Sequence, residues 1–146
     1  MKHRDEIRGF EYDWLASDAD GHVALFCTAG GGAVPDSFLR NDEAHFEAAA
    51  SIRSSEPTTE ILFIVDEFTT VEDLSSLVMR GVYIYDADVF GGPYRRVAVP
   101  CRPCVVDELP PIAAVVVRGV VFRAMRFANA SLVDADAVAR LGSEEP

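Results

Sequence analysis

Two cysteines separated by two residues, Cys101 and Cys104, form the motif with the clearest chemical potential in this chain. Thiols at this spacing can ligate zinc or exchange disulfides, and the intervening Arg102 would lower a thiolate pKa. Zinc needs four ligands, however, and a redox pair begins a helix, whereas this pair lies among prolines. The other sulfur and imidazole side chains stand alone in the sequence: Cys27, His3, His22 and His45. We therefore predict a structural pair with no metal and no cofactor, and keep a zinc or redox site that includes Cys27 as a third hypothesis.

Three consecutive glycines, Gly30-Gly31-Gly32, follow a predicted strand, as phosphate-binding loops do. The sequence matches neither common phosphate-loop pattern, and no lysine follows. We interpret the segment as a flexible connector that forms one wall of a cleft, with a tyrosine-bearing hairpin opposite. This cleft would suit a small-ligand-binding protein or an enzyme, with Asp13 or Cys101 contributing. The predicted ligand-binding residues are Gly31, Tyr83, Tyr85 and Asp86.

The segment Asp18-Ala19-Asp20-Gly21 begins like a calcium-binding loop. Such a loop needs a glutamate at its twelfth position, which here is Ala29. The segment therefore predicts a turn, because aspartate and glycine both favour turns. The sequence also has no nucleophile elbow of the GxSxG type. We predict no catalytic residue.

Acidic side chains are concentrated in one part of the chain. The formal net charge of the protein is −11, and nine carboxylates lie between Asp42 and Asp73, where Arg53 is the one basic residue. A field of this sign repels phosphate backbones and anionic membranes and accelerates the encounter with basic partners. We expect no direct binding to nucleic acid or to a membrane.

Two hairpins must position these groups. Aromatic-rich runs flank Asp20-Gly21, a dipeptide that supplies the positive φ angles of a tight hairpin turn. Residues 82–85 and 94–99 alternate as strands around a turn-forming segment and predict the second hairpin. The sequence therefore favours antiparallel pairing.

Helical spacing of apolar residues indicates where helices lie between and after the hairpins. It predicts helices over 42–53, from Thr70 to Gly81 and over 133–141. Segments 61–68 and 112–118 fit a strand or a helix about equally well, because short apolar runs lack a decisive period. The whole predicts an α+β fold: an antiparallel sheet of β-hairpins packed with two or three helices in a single layer on one side.

The length of 146 residues and the hydrophobic content of 49% suit a single globular domain over residues 1–146. We expect residues 1–8 and 142–146 to be flexible. The longest apolar run, Ile112 to Val117, is too short to span a membrane, and the charged N-terminus is unlike a secretory signal. Three cysteines without a framework pattern indicate reduced thiols, so we expect a cytoplasmic protein of a bacterium.

Segments spread along the chain resemble one group of proteins. They run from Tyr12 through Ala29 to Pro35, from Arg80 to Asp86, from Pro93 to Pro100 and from Asp107 to Pro111. Together they resemble small bacterial proteins of unknown function that are similar to immunity proteins of polymorphic toxin systems. The resemblance covers less than half of the chain and implies no catalytic residue.

The leading hypothesis is a non-catalytic acidic module that binds and inhibits a basic toxin domain, such as a nuclease. Carboxylates of the acidic stretch would attract the partner, and exposed aromatic side chains of the hairpins would anchor it. The predicted partner-binding residues are Trp14, Glu43, Glu47, Asp66 and Glu67.

Overall fold

The computed structural model describes residues 2–68 and 71–142. Within these ranges the chain forms seven strands and six helices. The strands are β1 (Asp13–Asp18), β2 (Val23–Cys27), β3 (Ile61–Ile64), β4 (Tyr83–Asp86), β5 (Tyr94–Pro100), β6 (Val121–Phe122) and β7 (Leu132–Val133). The helices are α1 (Arg4–Ile7), α2 (Asp36–Arg40), α3 (Asp42–Arg53), α4 (Glu72–Val78), α5 (Pro111–Arg118) and α6 (Ala135–Ala139). Short 3-10 segments lie at Asp66–Phe68, Val106–Glu108 and Arg140–Gly142.

The seven strands of the described residues join one sheet in the order β3-β5-β4-β2-β1-β6, and β7 pairs with β5 beside β3. Most neighbours are antiparallel, but β2 pairs with β4 and β1 with β6 in parallel. The prediction of an antiparallel sheet is therefore wrong in part, and the sheet is mixed. Strands β2 and β4 are separated in sequence by three helices and β3, and a long crossover of this kind can return the chain in the same direction.

Both predicted hairpins are confirmed. Ser17 pairs with Val23 on either side of the Asp20-Gly21 turn, and Gly21 has a φ of 78°. The Asp18 carboxylate accepts hydrogen bonds of 2.9 Å from the backbone N–H groups of Asp20 and His22, which closes the turn. The second hairpin joins β4 to β5, with one irregularity in register between Ile84 and Tyr85.

The structure decides the two segments that periodicity left open. Residues 61–64 form β3 at the edge of the sheet, and residues 111–118 form α5. Pro111 lies in the first turn of α5, where a missing N–H breaks no helical hydrogen bond. Ala113 and Val117 are buried under this helix, so tertiary packing overrides the strand propensity of its valines.

Both faces of the sheet are covered. Helices α3, α4 and α5 lie over aliphatic side chains, a layer that we call the aliphatic face. Residues of α1, α2 and α6, together with the chain that follows α5, cover what we call the aromatic face. The prediction of two or three helices in a single layer is wrong, because successive residues of β1 and β2 are apolar and buried on both sides.

The first residues of the chain form a short helix, and two predicted helices have other boundaries in the structure. Residues 1–8 include helix α1, its Ile7 is buried in the core, and the Lys2 N–H donates to the Leu39 carbonyl at 2.9 Å. Of residues 142–146, expected to be flexible, Gly142 ends a 3-10 segment, and residues 143–146 lie outside the described residues, so their flexibility stays a prediction. Thr70, expected to begin a helix, also lies outside the described residues. Helix α4 begins at Glu72, and the predicted helix over 133–141 is divided between β7, α6 and a 3-10 turn.

Candidate functional site

Trp14 is not a surface anchor. Its side chain is 0% exposed, stacks on Phe26 with ring centroids 4.2 Å apart, and donates from Nε1 to the Tyr94 hydroxyl at 3.1 Å. The prediction that Trp14 contacts a partner is therefore wrong. The alternation along β1 directs this residue to the aromatic face, and that face is covered.

Tyr83 and Tyr85 also belong to the aromatic core. Both are buried, and the Tyr85 hydroxyl donates to the Ala130 carbonyl at 2.5 Å. Burial raises the pKa of both phenols. The prediction of a cleft between these tyrosines and the glycine loop is therefore wrong, because both rings are packed inside the aromatic core of the described residues.

The glycine loop packs tightly against the tip of the second hairpin. A Cβ atom built on Gly31 would lie 2.3 Å from the carbonyl oxygen of Val89, so only glycine permits this approach. The loop therefore positions another segment and is not simply a connector. It still lines a hollow of about 480 Å³, whose wall includes Phe90, with 93% of its side chain exposed, and the arginines Arg4 and Arg8.

Asp13, Cys27 and Asp86 lie side by side at one end of the sheet. Asp13 is in register with Cys27, and Cys27 is in register with Asp86. Burial raises the pKa of the Cys27 thiol well above its usual value, and the two carboxylates raise it further. Because the thiolate is the reactive form of cysteine, the row does not make Cys27 a nucleophile.

Asp86 is the carboxylate whose acidity is changed most in this row. Burial raises the pKa of Asp86 to about 6; Arg95 opposes that shift, and Glu11 and Glu67 reinforce it. Burial also raises the pKa of Asp13. The structure thus brings Glu67, predicted to meet a partner, within electrostatic range of Asp86, predicted to meet a ligand.

The cysteine pair has unequal surroundings. Cys101 is exposed, whereas Cys104 is buried, and its backbone N–H donates to the Gly81 carbonyl at 3.0 Å. Burial raises the pKa of Cys104 to about 12. Within the described residues, no group of three or more Cys, His, Asp or Glu side chains is arranged to hold a metal ion.

Glu43 and Glu47 are exposed on the outer side of α3. Glu47 lines a groove of about 350 Å³ between α3 and α5, and across it lie Ile112 and Val115, which are 53% and 70% exposed. Phe46, which is 72% exposed, lies on the other flank of the two glutamates, because successive helix residues are rotated by about 100°. We call these five residues the α3–α5 surface.

Asp66 and Glu67 follow a second exposed apolar site. Leu62 and Phe63 on β3 are both exposed and line the same hollow, because the register of β3 shifts between Ile61 and Phe63. Ile61 and Ile64 pack against the aliphatic face, so β3 exposes one apolar site at the sheet edge. Both acidic pairs that the sequence singled out therefore lie beside large apolar side chains.

The exposed apolar residues are the part of the site that sequence reasoning missed. Ile112 and Val115 belong to a run that fits a strand or a helix equally well, and Phe46 has the same helical spacing as the buried Ala49, so the sequence pattern does not distinguish exposed from buried positions. The signal that would have located them is the spacing of Ala113, Ala114 and Val117, which places the buried side of α5 away from Ile112 and Val115.

The described chain is an α+β protein with a mixed sheet and exposed apolar residues beside carboxylates. No protein-family model, curated protein or solved structure matches it. Across residues 2–68 and 71–142, no helix has the length and apolar character needed to cross a membrane.

Proposed function

We propose that this protein is a non-catalytic module that binds and inhibits a basic protein domain, such as a toxin nuclease, through the α3–α5 surface. The observation that carries the proposal is the exposure of three large apolar side chains, Phe46, Ile112 and Val115, around Glu43 and Glu47. Such a combination is typical of a protein interface, where apolar anchors lie within a charged surround.

The apolar side chains supply the affinity in this proposal. Burying a side chain of this size contributes roughly 1.5–3 kcal/mol when it passes from full exposure to full burial. Phe46 and Val115 are about 70% exposed, so most of that gain is still available to a partner. The groove beside Glu47 can accept an apolar side chain of that partner.

The carboxylates attract the partner electrostatically and favour a basic partner over an acidic one. A net charge of −11 favours a basic partner, and Glu43 and Glu47 place two of the negative charges next to the apolar residues. Asp66 and Glu67, beside Leu62 and Phe63, extend the same combination to the sheet edge. In this proposal they form a secondary contact, and Trp14 supports the fold only.

A charge-reversal experiment tests the proposal. The purified protein and an E43K/E47K variant serve as baits for lysate of the native host, and each captured basic protein is then purified and titrated by calorimetry. The control is D5K/D136K, which changes the net charge by the same amount at exposed residues that are not part of the α3–α5 surface. We expect E43K/E47K to weaken binding at least about tenfold and D5K/D136K to have a smaller effect.

A second variant separates apolar contact from steering. F46A/V115A should weaken binding at all salt concentrations, whereas the loss in E43K/E47K should shrink as salt screens the charges. Inhibition of the partner's own activity by the wild-type protein completes the test. Equal affinity of wild type and both surface variants for a captured partner would refute the α3–α5 surface as the binding site.

The hollow beside the glycine loop supports a second candidate function, the binding of a small ligand. Phe90 is almost fully exposed there, next to Arg4 and Arg8. A thermal-shift screen of metabolites, repeated on F90A, tests this candidate. A stabilising compound whose effect is lost in F90A would favour it over protein binding.

A further inference from the structure

A pocket of about 560 Å³ opens on the side of the molecule where β6 forms the sheet edge. Its walls come from α2, from the C-terminal end of α5, from β6 and from Leu141. Three arginines line it: Arg40, Arg118 and Arg123. The arginines are distant in sequence, and the fold brings them to one opening.

Two of these arginines lack an acidic partner among the residues described. The protein has 24 acidic and 13 basic residues, so a basic side chain has many carboxylates to pair with. Arg118 contacts Asp107 at 2.7 Å, and Arg126 contacts Asp20 at 3.0 Å. No carboxylate in residues 2–68 or 71–142 lies within 4.0 Å of Arg40 or Arg123.

Unpaired guanidinium groups at a shared pocket are suited to one kind of ligand. A guanidinium group presents a rigid fork of N–H donors that matches phosphate oxygens. A phosphate monoester carries about −1.5 to −2 charges and three acceptor oxygens, which two arginines can neutralise together. The one carboxylate of the lining, Asp36, is already paired with Arg4.

The remaining wall indicates the organic part of the ligand. Val120, Val121 and Leu141 provide an apolar surface beside the arginines, and Ser37 adds a hydroxyl. The volume lies within the range of pockets that hold small molecules, roughly 300–1,000 Å³. The net charge of −11 disfavours a long polyanion, whose other phosphates would meet the acidic surface.

We propose that this pocket binds a small phosphorylated organic anion, with Arg40 and Arg123 holding its phosphate group. The pocket borders the groove beside Glu47, with which it shares Ser37, Gly119 and Val120, but its arginines lie outside that groove, and the proposal does not depend on the proposed inhibition of a basic protein.

Titration with inorganic pyrophosphate, followed by nuclear magnetic resonance at physiological salt, tests the proposal. We expect saturable shifts of the backbone amides of Asp36, Val121 and Arg123, which line this pocket and not the groove beside Glu47, and of the side-chain N–H groups of Arg40 and Arg123. The R40Q/R123Q variant should bind at least about tenfold more weakly, because two charge-assisted contacts are lost. R40K/R123K should bind with intermediate affinity, since it keeps the charge and loses the fork.

The matched control is R95Q/R102Q, which removes two exposed positive charges outside the pocket and outside the hollow beside the glycine loop, and should keep the wild-type affinity within about twofold. Thermal unfolding of each variant checks that the fold persists. Pyrophosphate binding that is equal in wild type and R40Q/R123Q would overturn the proposal, as would shifts spread over the whole surface. A single-stranded oligonucleotide that bound more tightly than pyrophosphate would overturn the choice of a small ligand.

Two carboxylates outside the described residues, Glu144 and Glu145, follow Leu141 in the sequence. The titration is therefore repeated on E144Q/E145Q. Binding of pyrophosphate by both this variant and the wild type supports the site. Binding by the E144Q/E145Q variant alone would overturn the proposal for the natural chain.

Discussion

The two faces of the sheet bury cores of different chemistry. The aromatic face holds Trp14, Phe26, Phe38, Tyr83, Tyr85, Tyr94, Phe122 and Phe127. The aliphatic face holds leucine, isoleucine, valine and alanine side chains in its buried centre, among them Leu15, Leu25, Leu77, Ile84 and Val117. The covers differ as well: the short helices α1, α2 and α6 and the irregular chain after α5 lie over the aromatic face, whereas the longer helices α3, α4 and α5 lie over the aliphatic face.

Aromatic side chains suit a cover of irregular chain because they bring hydrogen-bonding groups into the core. The Tyr94 hydroxyl donates to the Ala33 carbonyl at 2.6 Å and accepts from Trp14 Nε1. The Tyr85 hydroxyl donates to the Ala130 carbonyl. Carbonyl groups of irregular segments must be paired when buried, and these hydroxyls pair them.

The aliphatic face needs helices, whose backbone groups are paired internally. Alanines at the contacts, such as Ala48, Ala49 and Ala113, allow the helices to approach the sheet closely. The polar groups near this face are titratable, namely His45 on α3 and Asp86 at the end of β4. Two groups that titrate below pH 7 with a shifted pKa, His45 and Asp86, therefore lie on the aliphatic side, whereas the buried phenols of the aromatic face have raised pKa values.

Removal of the largest aromatic side chain, that of Trp14, tests how much the aromatic face contributes to the free energy of unfolding. Trp14→Ala should lower the free energy of unfolding by about 4 kcal/mol, because it leaves a large cavity and the Tyr94 hydroxyl without its donor. Trp14→Phe keeps the stack on Phe26 and should cost less. Denaturant unfolding measures both, and a loss below about 1 kcal/mol in Trp14→Ala would contradict a core built around this ring.

The titration of His45 provides a second test, which concerns the aliphatic face because His45 lies on α3. Its Nδ1 accepts a hydrogen bond of 3.0 Å from the Leu15 N–H, and burial lowers the pKa of His45 from 6.5 to about 4, against a smaller opposing effect of Asp42. The unfolded chain therefore binds a proton more readily than the native protein does. The neutral His45 imidazole therefore contributes to the free energy of unfolding above pH 6.5, and this contribution is lost as the pH falls towards 4.

The measurement compares wild type with His45→Gln. The difference in unfolding free energy between them should change by about 2 kcal/mol from pH 7 to pH 5, in the direction that the wild type loses stability. Comparing the two proteins cancels the titration of the other groups. A pH-independent difference would show that His45 is not held neutral by the fold.

Substitution of Asp86 should give the smallest change in stability, and the dependence of that change on pH should have the opposite sign to that of His45. Its folded-state pKa of about 6 exceeds the ordinary value of 3.8, so its stabilisation is present below pH 3.8 and is lost as pH rises through 6. Asp86→Asn should raise the unfolding free energy at pH 7 by roughly 1 kcal/mol, a figure reduced for the partial exposure of the carboxyl. This gain in unfolding free energy should vanish near pH 4. A lower stability of Asp86→Asn than of the wild type at pH 7 would contradict a raised pKa of Asp86.

Local chemistry explains which elements could be predicted from the sequence. The Asp20-Gly21 turn is closed by contacts within a few residues, so its hairpin follows from the sequence. The burial of Trp14, the one aromatic residue of β1, does not follow from such local contacts. Alternation shows that Trp14 and Leu15 point to opposite faces, but which face is covered depends on the chain after α5, far along the sequence.

The residues of the proposed site also divide into those that the sequence could locate and those that only the structure could. The sequence located the acidic residues Glu43, Glu47, Asp66 and Glu67 on the surface, because charged side chains are rarely buried without partners. It did not show which apolar residues lie beside them. Val115 is exposed because α5 turns its alanines towards the sheet, and this follows from packing against α3 and β1.

By itself, the sequence determined the negative charge of the protein, the two hairpins and the α+β class, because these depend on composition and on contacts between near neighbours. The tertiary structure alone decided the parallel pairing of β2 with β4, the burial of Trp14 and the meeting of Arg40 with Arg123 at one pocket. These features join residues far apart in the chain, and such contacts form only when apolar surfaces on both faces of the sheet are buried together.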